Sequence, residues 1–175
     1  MGDALNELFP IIDVENLNAE LALLTGWQLG LGSTGQAALA ANLNHSQLFN
    51  PATSGKIVVV ERVDFRAEMN QAIEFITATA GLTTVTGNVI PRDTRQGIIA
   101  PLIAEVREVQ QVGGLPATGV IVVEDLVTFT LAEKLGLFVL APGTGITFAT
   151  SIVNTGFFVN WIWRERVAQP AELNF

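Results

Sequence analysis

His45 is the only imidazole in the chain, and there is no cysteine. A single imidazole cannot serve a metal site built on two or three histidines. The lack of cysteine closes thiol catalysis, disulfides and thiolate zinc sites. A Ser-His-Asp triad through His45 lacks a nucleophile elbow, because no serine stands in a Gly-x-Ser-x-Gly turn. His45 lies in Leu43-Asn44-His45-Ser46-Gln47-Leu48, just ahead of a strand, and reads as a structural or surface residue. Glu124 and Asp125 are adjacent, so a strand sends them to opposite faces. Glu105 and Glu108 are interleaved with Arg107 and read as a solvated face. Neither pair specifies a glycosidase dyad, which depends on a separation in space. Gly30-Leu31-Gly32-Ser33-Thr34-Gly35 and Pro142-Gly143-Thr144-Gly145 lack the lysine of a phosphate loop and read as turns. The expectation is no catalytic residue, no cofactor and no metal.

Two clusters suit recognition better than catalysis. Arg92-Asp93-Thr94-Arg95 is a dense charged run in a charge-poor chain. Guanidiniums there suit bidentate pairing with carboxylates, either across an interface or locally. In Trp161-Ile162-Trp163-Arg164-Glu165-Arg166 a strand puts the two tryptophans on one face and Arg164 and Arg166 on the other. Aromatics beside arginine mark binding hot spots, sugar platforms or plain core. Leu17, Leu21 and Leu24, spaced for one helical face, and Trp27 complete the candidate interface with Arg92, Asp93, Arg95, Trp161, Trp163, Arg164 and Arg166.

The elements that must position these residues are mostly strands. Alternating apolar and polar residues mark strands at 56–66, 72–79, 105–112, 119–131, 137–140, 146–152 and 157–166, with turn signals at 141–145 and 154–156. Residues 81–119, with three prolines, otherwise read as a long loop. Residues 1–44 read as a partly helical arm, with one helix from Val14 to about Thr25 and a weaker helical stretch over 36–42. The expected organisation is the arm 1–44, an all-β jelly-roll or β-sandwich domain over 45–170, and a tail 171–175.

Composition says how such a domain must live. The chain has 175 residues, 49% of them hydrophobic and only 15% charged, and its mean hydropathy is +0.43. Soluble domains run near 25% charged, so neighbours are expected to cover part of this surface. A formal charge of −8 argues against a nucleic-acid partner. No stretch has the ~20 apolar residues of a spanning helix, so no membrane partner is expected.

Several short motifs recur in a telling order: Leu48-Phe49-Asn50-Pro51 with Ser54-Gly55 and a valine-rich strand, and Arg92-Asp93-Thr94-Arg95. Val139-Leu140-Ala141-Pro142-Gly143-Thr144-Gly145, Val153-Asn154-Thr155 and Trp163-Arg164-Glu165-Arg166 follow. This order resembles a family of small tailed-phage virion proteins, over about residues 45–170. The resemblance implies a β-rich, non-enzymatic virion structural protein without a cofactor, made in the host cytoplasm. The expected role is a capsid decoration or cement protein. Its expected partners are itself, as a homotrimer, and the major capsid protein or other virion proteins. A tail, neck or fibre-associated protein and a carbohydrate-binding β-sandwich are the alternatives.

Overall fold

The computed structural model describes residues 26–86, 89–92, 101–112, 121–127 and 132–173. Its strands are β1 (Gln28–Gln36), β2 (Asn42–Asn50), β3 (Lys56–Ala67), β4 (Gln71–Ala78), β5 (Thr84–Val85) and β6 (Val89–Pro91). They continue with β7 (Glu105–Val112), β8 (Ile121–Val127), β9 (Ala132–Leu140), β10 (Thr144–Thr150) and β11 (Phe157–Val167). A 3-10 turn, Pro170–Glu172, follows β11. No helix among the described residues is long and apolar enough to cross a membrane.

The strands form two antiparallel sheets, ordered β6-β1-β11-β3-β9 and β5-β7-β2-β10-β4-β8. Four pairings are nested: β1 with β11, β2 with β10, β3 with β9 and β4 with β8. First-with-last nesting folded into two sheets is the jelly-roll arrangement. β7 is an addition to that plan and extends the second sheet beyond β2.

Alternation along each strand fills the space between the sheets. Val58, Val60, Val63 and Phe65 of β3 face Leu48, Ile146, Phe148, Ile73 and Phe75 of the other sheet. Phe65, Phe75, Phe148 and Phe157 pack with ring centroids 5.4–5.9 Å apart. Each such ring withdrawn from water contributes roughly 1.5–3 kcal/mol.

Two of the quoted motifs meet in space. The Asn50 side-chain amide donates to the carbonyls of Lys56 and Leu140, and the Gly143 N–H donates to the Asn50 carbonyl. Gly143, at φ 81°, makes the tight turn between β9 and β10 in a conformation other residues adopt at a cost.

The β-sandwich is as expected, but its first strands correct the sequence reading. The sheets begin at Gln28, inside the expected arm. The glycine-rich stretch 30–35 is strand β1 and not a turn. The helical stretch expected over 36–42 is absent: β1 ends at Gln36, a turn with Ala41 at φ 61° follows, and β2 starts at Asn42. β2 contains His45 at its centre. The supposed loop 81–119 supplies β5 and β6 besides the expected β7, and β9 starts earlier than expected, at Ala132. Leu17, Leu21 and Leu24, and the helix expected there, lie outside the described residues. So do Asp93 and Arg95.

Candidate functional site

β11 separates core from surface residue by residue. Trp161, Trp163 and Glu165 point between the sheets and are fully buried, while Ile162, Arg164 and Arg166 lie on the outer face, where Arg164 is nonetheless buried beside Trp27. The Trp161 indole N–H donates to Ser46 Oγ at 2.8 Å and so joins the two sheets. Trp163 lies over Gly30 and Gly32 of β1. A Cβ on Gly30 would fall 2.7 Å from the indole nitrogen and closer still to its ring carbons. Trp161 and Trp163 are therefore core residues, which corrects their expected place at an interface. Neither can stack on a sugar without the sandwich opening.

Glu165 is the carboxylate that the sequence reading passed over. It is fully buried, yet it accepts from Lys56 Nζ at 2.7 Å and from the backbone N–H groups of Ile103 at 2.9 Å and Ala104 at 3.1 Å. The Trp163 indole adds a longer bond at 3.3 Å. Lys56 also donates to Gln28 Oε1 at 2.6 Å. One carboxylate thereby ties β11, β3 and the segment that leads into β7. The only sequence signal was position: Glu165 falls in phase with the two inward tryptophans.

The outer face of the five-stranded sheet brings the remaining candidates together. Residues directly opposite each other on antiparallel strands share a face. Arg92 follows β6 and donates its backbone N–H to the Leu29 carbonyl. Leu29 stands opposite Arg164, Arg164 opposite Val59, and Val59 opposite Val139. The next row runs Ile90, Leu31, Ile162, Arg62. Phe158 and Arg66 form a further pair nearer the other end of β11. Ile90, Val139 and Phe158 are 61%, 64% and 43% exposed, and Leu29, Leu31, Val59 and Ile162 are half-buried.

Arginines interrupt and flank these apolar residues: Arg164, itself buried, stands between Leu29 and Val59, and Arg62 stands beside Ile162. Trp27 lies under Arg164 and Arg166, with guanidinium carbons 5.6 and 4.9 Å from the ring centroid. Arg164 pairs with Glu61. Glu61 is the extra residue of a bulge, since Trp163 opposes Val60 and Ile162 opposes Arg62. Arg166 donates to Glu172 at 2.7 Å, and this bond lowers the Glu172 pKa to about 2, helped by the Gln169 N–H. Arg62 forms a two-pronged pair with Asp64 at 2.7 and 2.9 Å. Of the expected interface residues, the fold thus gathers Trp27, Arg92, Arg164 and Arg166 at one corner of one face. Leu29, Leu31, Val59, Ile90, Val139 and Phe158 were missed because a half-buried sheet face leaves the same alternation as a core face.

The opposite sheet offers less chemistry. His45 is fully buried on the outer side of β2, and neither ring nitrogen reaches hydrogen-bond geometry. Burial lowers its pKa to about 4, opposed in part by the Val109 backbone. A cavity of about 200 Å³ lies nearby, between Gln47, Ile76, Val109, Gln111, Thr147 and the 80–83 segment. The Gln47 amide is saturated there by the Ala80 carbonyl, Thr147 Oγ1 and the Leu82 N–H. No protein-family model, curated protein or solved structure matches the chain.

Proposed function

We propose that this chain is a non-enzymatic structural subunit of a phage particle, a decoration or cement protein that assembles through the outer face of its five-stranded sheet. The observation that carries the reading is that face: half-buried Leu29, Leu31, Val59 and Ile162, flanked by exposed Ile90 and Val139, with Arg62 and buried Arg164 among them and exposed Arg66 and Arg92 farther out. Apolar centre, aromatic and arginine enrichment, and a polar rim are the anatomy of protein–protein contacts. The low charge of the whole chain supports the same reading, and the phage assignment rests on the motif order. In this proposal three copies associate, and the trimer binds the major capsid protein at the shell surface.

The test is association first and location second. Sedimentation of the pure protein at micromolar concentration is expected to show an oligomer, and Ile90→Glu with Val139→Glu is expected to dissociate it without unfolding. A stable monomer that binds no particle refutes the reading. Density for the subunit at a neck or tail instead of the shell moves its place on the particle while keeping its structural role.

A further inference from the structure

The geometry points to an occupant for this face: residues 1–25 of a second copy of this chain. The inference rests on the reading above and names the contact by which copies join.

Three observations converge. The N-terminal segment reaches the described fold at this face, because Trp27 lies against Arg164 and Arg166 at its corner. Gly26 precedes it at φ 81°, with nothing within 4 Å of a Cβ placed there. Charge matches as well. Residues 1–25 carry Asp3, Glu7, Asp13, Glu15 and Glu20 and no lysine or arginine. Among the described residues Arg66 and Arg92 are exposed on or beside the face and have no carboxylate partner. The apolar patterns match too. Leu17, Leu21 and Leu24 are spaced for one helical face, on a segment of the ~12–15 residues at which an isolated helix is marginal. Such a stripe needs a surface, and Leu29, Leu31, Val59, Ile162 and the exposed Ile90 and Val139 offer one on this face.

The reading as a self-assembling subunit selects a neighbour's face over the chain's own. Every copy then gives one acidic arm and receives one, a head-to-tail contact that closes into a ring when the rotation allows. Docked on its own sheet, the arm would cover the surface that assembly uses.

The chain has no cysteine, so single-cysteine variants report contacts without background. Ala22→Cys protein is mixed with Ile90→Cys protein and oxidised under mild conditions. A disulfide between the two unlike variants is the expected result, at a yield that rises with concentration. Arg66→Glu with Arg92→Glu is expected to weaken association roughly tenfold, the equivalent of about 1.4 kcal/mol. If Ala22→Cys and Ile90→Cys in one chain close an intrachain disulfide in dilute monomer while the mixture forms none, the arm sits on its own sheet and the inference fails. If the wild-type chain self-associates but neither experiment gives a cross-link, the inference fails and the structural reading stands. If the wild-type chain never associates, the reading itself falls.

Discussion

Removing the Glu165 carboxylate is the sharpest test of how this sandwich is held. Glu165→Ala leaves Lys56 Nζ, whose side chain is 11% exposed, without its ionic partner. It also strips the acceptor from the Ile103 and Ala104 N–H groups. A buried ion pair broken on one side costs about 3–5 kcal/mol. An orphaned buried donor costs roughly 1–3 kcal/mol, but these terms overlap, since relaxation that rescues one donor rescues its neighbour. The expected loss is therefore about 4 kcal/mol, the middle of the ion-pair range. For a domain of this size, that lowers Tm by roughly 8–16 °C. Urea denaturation measures it as a lower midpoint with an unchanged slope, because the same surface is exposed on unfolding. Glu165→Gln keeps one acceptor oxygen for the N–H pair and should lose less. Replacing both Glu165 and Lys56 with methionine should recover much of the loss, since apolar pairs of similar volume often match a buried ion pair. A Glu165→Ala protein within about 1 kcal/mol of wild type would refute the argument, because a fully desolvated hub cannot vanish that cheaply.

Three other outcomes follow from the same contacts. Gly30→Ala should cost about 1–3 kcal/mol by driving a methyl into the Trp163 indole, read by thermal unfolding and by a shift in tryptophan fluorescence. Because burial holds His45 neutral in the folded chain, the unfolded chain takes up the extra proton as pH falls from about 6.5 to about 4. Stability should therefore drop across that window by about 3 kcal/mol, level off below it, and lose this slope in a His45→Leu variant. Arg92→Ala, at an exposed site, should change Tm by less than about 2 °C while weakening self-association measured by sedimentation.

Much of the fold was legible because strands announce themselves by period. Val63 and Phe65 against Arg62 and Arg66, and Trp161 and Trp163 against Ile162 and Arg164, alternate as the sheets require. β1 was hidden for the opposite reason. Its inward positions Gly30 and Gly32 are glycine, leaving space that Trp163 of β11 and Val106 of β7 fill, and glycine carries no hydrophobic signal. β2 was hidden because its inward side chains include Asn44, Ser46 and Asn50, polar residues that find hydrogen-bond partners only once the sandwich exists. Glu165 was illegible as a hub because three of its donors lie 61 to 109 residues away in the chain. His45 looked like a bystander, yet its complete burial makes it a source of pH dependence.

The core and the proposed surface are two readings of one strand. A one-residue slip of β11 would turn Trp161, Trp163 and Glu165 outward and carry Ile162, Arg164 and Arg166 into the core. Three features oppose that slip. The space over Gly30 and Gly32 holds the Trp163 indole in the native register. The Glu165 carboxylate meets its backbone donors only in that register. The bulge at Glu61 lets the strand pair absorb one extra residue and still present a carboxylate to Arg164. Packing determines which residues the outer face offers, so core substitutions at Gly30 or Glu165 should weaken association as well as folding. Substitutions on the face, such as Ile90→Glu, should weaken association alone. Were face variants to unfold the chain, the outer surface would be part of its own core, and the assembly reading would lose its basis.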